Sequence, residues 1–206
     1  MDHCCSNKTE ELLLLKAKQA HILKIVMAIN VLMFFVEFTF AWIANSTALM
    51  ADSLDMLGDA IVYGFSLYVL HKSEKTRATA ALLKGIIIVV FGISVLAQAG
   101  FKWNATALPS YESMGWIGGL ALLANTICFS LLYKHRDDDI NMKSTWICSR
   151  NDIISNIGVL IAASLVGLTQ SKWPDLLIGL TIAILFLRSA IPILIESVTQ
   201  IRGKSL

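Results

Sequence analysis

Residues 51–60 read ADSLDMLGDA, inside a stretch from Thr47 to Leu70 that is otherwise apolar enough to cross a membrane. Asp52, Asp55 and Asp59 therefore stand where ionising a carboxylate costs several kcal/mol. In a helix their spacing is i, i+3 and i+7, which puts all three on one face, about one and two turns apart. Like charges so close repel in a low dielectric, so this face calls for a cation or for protons.

The flanking sequence has the same apolar character. With 206 residues, 56% hydrophobic, 16% charged and a mean hydropathy of +0.67, the chain reads as one whose solvent is lipid. Apolar runs recur at roughly 21 to 43, 47 to 70, 82 to 101, 115 to 133, 144 to 169 and 174 to 198, and a helix needs about 20 such residues to cross hydrocarbon. The first run starts too late and is too long for a cleaved signal peptide. The expected fold is all-α: a polytopic membrane protein of six transmembrane helices. Residues 1–20 are read as a cytoplasmic N-terminal segment, 21–198 as the transmembrane domain and 199–206 as a short cytoplasmic tail.

Basic residues set the orientation, because Lys and Arg favour cytoplasmic segments. Lys8, Lys16, Lys18 and Lys24 precede span one; Lys72, Lys75, Arg77 and Lys84 follow span two; Lys134, Arg136 and Lys143 follow span four; Arg202 and Lys204 end the chain. The other side has only Lys102 and Lys172, so both termini are expected in the cytoplasm. The net charge of +2 is spread along these edges without a dense basic tract, which argues against a nucleic-acid partner. Asn45 and Ser46 are expected to form a tight external turn.

Span five carries a second polar face in WICSRNDIISNIG, Trp146 to Gly158, where Cys148, Asp152 and Asn156 are spaced i, i+4 and i+8. Asp59 lies about 18 Å below the external start of its span and Asp152 about 12 Å above the cytoplasmic start of its own, depths that coincide in a core of about 30 Å. Asp59 can then face Asp152, or the register can slip so that Asp55 faces Asp152 and Asp59 faces Cys148. Three carboxylates and one thiolate suffice for a tetrahedral divalent ion. Mixed oxygen and sulfur donors favour Zn, Cd or Co over Mg or Ca, which want six or more oxygens. The same carboxylates can take up protons on releasing metal, so metal/proton exchange follows from the site. On this reading the metal and the protons are cargo, and the chain needs no cofactor and is not an enzyme.

Two other function classes use buried acids. A proton-coupled organic-cation exporter or a channel would need the aspartates but not a clustered thiol. An intramembrane aspartyl protease would pair two aspartates, and Leu57-Gly58-Asp59 partly echoes a Gly-x-Gly-Asp signature, with Met56 where its first glycine would be. Glu37, with Asn30 two turns earlier, either lines the external exit and takes a proton or makes an interhelical hydrogen bond. Asn125 reads as packing glue in span four, and Asp137, Asp138 and Asp139 as a solvated turn. His3, Cys4 and Cys5 could collect metal for the pore or be adventitious or lipidated.

The two polar segments together resemble the cation diffusion facilitator family of metal/proton antiporters. STALMADSLDMLGDAIVYGFSLY is similar to the family's second-helix motif, with Asp55 and Asp59 at its ligand positions. CSRNDIISNIGVLIAA is similar to the fifth-helix motif, with Cys148 where histidine is usual, followed by Asp152. The resemblance implies divalent metal export by alternating access, a site between helices two and five, a bacterial inner membrane location and a homodimer. Either the Cys148 thiolate is the fourth ligand, or Asp52, Asn156 or water fills that place. The chain ends soon after span six and so looks like a short, membrane-only branch without the cytoplasmic domain, its dimer formed through membrane helices.

Overall fold

The computed structural model describes residues 3–69, 74–136 and 140–202. They form six helices: α1 His3–Ile43, α2 Thr47–Val69, α3 Glu74–Trp103, α4 Tyr111–Tyr133, α5 Ile140–Thr169 and α6 Trp173–Ile201. Every regular element among the described residues is helical, as an apolar solvent demands, because a helix satisfies its backbone N–H and C=O groups internally. Five of the helices are long and apolar enough to cross a membrane. The sixth, α2, has 23 residues and a reach of about 35 Å, and its apolar run is broken only by the three aspartates.

Helix α1 is continuous from His3 to Ile43, so its backbone runs without a break from the N-terminal segment into the first span. Its sequence from Glu10 onward holds helix formers (Glu, Leu, Lys, Ala, Gln) and no Gly or Pro, so nothing stops the helix. His3, Cys4 and Cys5 have their backbone in this first turn, and their side chains lie outside the described ones, as do Asp137, Asp138 and Asp139 altogether.

Helices α1, α2, α4 and α5 form one group, with α1 against α2 and α4, α4 against α5, and α5 against α2. Helices α3 and α6 form a pair that leans on α2 and α5. The main core is built largely of small side chains, among them Ala41, Ala44, Ala48, Ala51, Ala162, Ala163 and Ala183. In lipid, helices associate by dispersion and close approach, since burying apolar surface gains little there. The outward faces are accordingly apolar: Leu32, Phe35, Trp42, Phe101, Trp116 and Leu168 are all exposed. Gly85 allows Leu194 to seat against α3, where a Cβ would stand 2.6 Å from that side chain.

The external ends are tied by polar contacts. Asn45 has φ 52°, a left-handed conformation that Asn tolerates, and lets α1 reverse into α2 at once. Ser110 caps α4. Lys172, just before α6, donates from Nζ to the carbonyls of Lys102 at 3.0 Å and Trp103 at 2.7 Å, and to that of Ala105, covering the C-terminal end of α3. Trp103 and Trp173 meet edge to face with ring centroids 4.8 Å apart, near the membrane interface that such rings prefer.

A close backbone approach between the helix pair and the group is at Gly179 of α6, where a Cβ would lie 2.8 Å from the Thr47 carbonyl carbon and 2.9 Å from the Ala48 nitrogen. These are backbone atoms that cannot rotate aside. Gly179→Ala is expected to force α2 and α6 apart and to destabilise the protein by about 1–3 kcal/mol. Thermal unfolding in detergent should show a lower midpoint for it, and no change for Gly119→Ala, whose Cβ would meet nothing within 4 Å.

Candidate metal centre

Midway along α2 the chain sheds side-chain bulk at Gly58, whose absent Cβ leaves room for the Phe186 ring of α6, 2.8 Å from where that atom would be. Beside this contact opens a cavity of about 540 Å³ bounded by α2, α3, α5 and α6. Its polar wall is Asp55 and Asp59 from α2 and Cys148, Asn151, Asp152 and Ser155 from α5. Its apolar wall is Ile88 from α3, Ile154 from α5 and Ile182, Leu185, Phe186 and Ile193 from α6. Lining by both Cys148, early in α5, and Ile193, late in α6, extends the cavity from the middle of the bundle toward the end where α5 begins and α6 finishes.

All four residues expected as ligands line this cavity. Asp59 and Asp152 are 8% and 7% exposed and come within hydrogen-bonding reach of each other, the first of the two registers that depth allowed. Asp55 and Cys148 are partly open to the cavity. The four do not yet form a cage: among the described residues no three His, Cys, Asp or Glu side chains are close enough to hold an ion as they stand.

Asp52 and Asn156, expected as auxiliary ligands, are placed otherwise. Asn156 Nδ2 donates to Asp52 Oδ2 at 2.8 Å, and Asn125 Nδ2 donates to Asn156 Oδ1 at 3.2 Å. Neither Asp52 nor Asn156 lines the cavity. The carboxyl of Glu37, fully buried on α1, lies against Asp52. No N–H or O–H donor among the described residues reaches either Glu37 oxygen. The buried acids thus separate into a cavity group and an inner polar chain, Glu37–Asp52–Asn156–Asn125, that knits α1, α2, α5 and α4. Asn125 serves the packing role expected of it.

Three neighbours of the site were not singled out from sequence. Asn151 and Ser155 flank Asp152, and their helical spacing could have revealed them. Tyr63, one turn after Asp59, donates from Oη to Asp59 Oδ2 at 2.8 Å. A fourth residue, Asp175, holds the external end of α2: it accepts from Ser46 Oγ at 2.6 Å, from the Thr47 N–H at 2.7 Å and from the Ala48 N–H at 3.1 Å.

The family model described as the cation efflux transmembrane domain matches residues 23–201, nearly the whole bundle and both polar helices. The chain belongs to the cation efflux family. It is thus a multi-pass integral membrane protein of a transport family, and the protease alternative falls away. Among its relatives is the zinc transporter ZitB of Yersinia pestis, 29% identical over 188 residues, which are 85% of this chain and 60% of that protein. The ZitB of Escherichia coli strain K12 is 26% identical over 179 residues, 81% of this chain and 57% of the relative. The cadmium, cobalt and zinc/H(+)-K(+) antiporter of Bacillus subtilis strain 168 is 22% identical over 171 residues, 76% of this chain and 55% of the relative. The chain therefore spans little more than half the length of these cation efflux proteins.

Proposed function

We propose that this protein exports divalent transition-metal cations, with Zn, Cd and Co as its class, from the cytoplasm of a bacterium across the inner membrane in exchange for protons. The observation that carries the reading is the single cavity where Asp55, Asp59 and Asp152 meet the Cys148 thiol between α2 and α5. An oxygen-rich wall with one sulfur suits borderline and soft divalent ions. Transport by relatives of zinc, and of cadmium and cobalt in another case, agrees with that donor set.

In the proposed cycle the carboxylates release protons to the near-neutral cytoplasm and take the ion at the cytoplasmic end of the cavity. The walls close around it, the α3–α6 pair shifts against the other four helices, and external protons displace the ion. The contacts of Asp175 and Gly179 with the start of α2 form the seam that is shut while the cavity faces inward. Two copies pairing through their apolar outer faces complete the reading, and crosslinking in native membranes tests that part.

The deciding experiment is uptake of Zn, Cd, Co, Ni, Mn and Fe(II) into proteoliposomes under an imposed proton gradient, in parent protein and Asp152→Ala. Gradient-dependent uptake lost in the variant is the expected result. No flux of any metal from folded protein would reject it and favour an organic-cation exporter. Within the same assay, Cys148→Ser is expected to lower Cd and Zn uptake relative to Co and Mn, because a hydroxyl replaces the soft donor. Unchanged ratios among the metals would remove Cys148 from the ligand set.

A further inference from the structure

Tyr63 is 1% exposed and is not part of the cavity wall. Its ring packs among Leu23 and Val26 of α1 and Cys128 and Leu132 of α4, on the side of α2 turned away from the cavity. Only its hydroxyl reaches back, to one oxygen of Asp59 at 2.8 Å. That hydroxyl also lies within electrostatic reach of Asp152 and Cys148. The bond has ordinary hydrogen-bond length and is made by a side chain locked in packing, so it holds the rotation of the Asp59 carboxylate. The bond engages Oδ2, while Asp59 itself lines the cavity beside Asp152.

We propose that Tyr63 is a specificity-determining positioning residue, whose hydroxyl restricts Asp59 to a single oxygen donor toward the transported ion. This rests on the reading of the cavity as a metal site and deepens it. A carboxylate offering one oxygen suits a four-coordinate ion such as Zn²⁺. One free to offer both favours larger ions that accept bidentate carboxylates and more donors, with Ca²⁺ as the limiting case and Cd²⁺ between. Asp59 is otherwise the same residue in either case; the phenol one turn away decides how many of its oxygens face the ion. Partners that orient a ligand in this way are typically worth 10- to 100-fold in metal affinity.

Tyr63→Phe isolates the effect, because it keeps the ring in its packing and removes only the donor. The assay is competition of Cd²⁺ and Ca²⁺ against Zn²⁺, in equilibrium binding to the full-length protein in detergent and in proteoliposome uptake. A second readout is the visible absorption of bound Co²⁺, intense for four-coordinate and weak for higher-coordinate ions. The expected result is roughly a tenfold fall in the preference for Zn²⁺ over Cd²⁺, a measurable gain in Ca²⁺ binding and a weaker Co²⁺ band. If all three metals weaken in parallel with the Co²⁺ band unchanged, the hydroxyl has only a structural role and the proposal is overturned. It is equally overturned if nothing changes. If the parent protein binds none of the three, the metal reading itself fails, a result distinct from both.

Discussion

Asp59→Asn is expected to reduce gradient-driven metal uptake to the level of empty vesicles. Asn keeps the volume and one carbonyl oxygen of the carboxylate, so packing beside Gly58 and Phe186 should survive. What disappears is the carboxyl group that stands opposite Asp152 in the cavity, and with it the capacity to carry a negative charge. A neutral amide is a weak donor to a divalent ion and cannot exchange a proton for it, so both halves of the proposed cycle stop together. Loss of a partner that merely orients a ligand costs about 10- to 100-fold in affinity, so removing the ligand itself should exceed about 100-fold. Equal expression and an unchanged unfolding midpoint would show that the bundle is intact. Uptake by Asp59→Asn within a few fold of the parent would end the assignment of Asp59 as a ligand.

Asp175→Ala is expected to have the largest effect on stability. Asp175 is fully buried, and its two oxygens accept from the Ser46 hydroxyl and from the first two backbone N–H groups of α2. Those N–H groups have no partner within their own helix, and Ser46 Oγ in turn accepts from the Leu49 N–H at 3.1 Å. One carboxylate on α6 thus does for α2 what a local cap does for most helices, while its three hydrogen bonds and the nearby charge of Lys102 counter only part of the cost of its burial. Alanine would strand three donors. Polar contacts measured inside membranes average about 0.6 kcal/mol, while a buried donor left without a partner costs about 1–3 kcal/mol; three together should cost about 3–5 kcal/mol. Thermal unfolding in detergent should record this as a large drop in midpoint, with Asp175→Asn falling between, since it keeps one acceptor oxygen. A midpoint unchanged in Asp175→Ala would mean that water or another group supplies the cap.

The two residues differ in how visible they are beforehand. Asp59 announces itself, because a carboxylate deep in an apolar run has few purposes. Asp175 follows Trp173 and Pro174 in the first turn of α6, where an acid is ordinary for its favourable interaction with that helix's own dipole. Nothing in the local pattern says that it caps a different helix. Tyr63 is intermediate: its position one turn after Asp59 permits a bond, but an aromatic in a membrane helix more often packs.

Taken alone, the sequence determined the six helices, the membrane as solvent and the two polar faces on α2 and α5, because each of these is a local property: apolar length, basic flanks and a 3.6-residue period. Although the second-helix resemblance put Asp55 and Asp59 at ligand positions, helical spacing did not separate Asp52 from them, since all three share a face. The tertiary structure did, because Asp52 is two turns from Asp59, about 10 Å along the axis, and at that height the neighbours of α2 are Glu37 of α1 and Asn156 of α5 instead of the cavity. The pairing of α3 with α6, the capping of α2 by Asp175 and the hold of Tyr63 on Asp59 were likewise decided only in three dimensions. A residue's spacing tells which face of its own helix it occupies; which helix meets that face, and at what depth, depends on how all six pack.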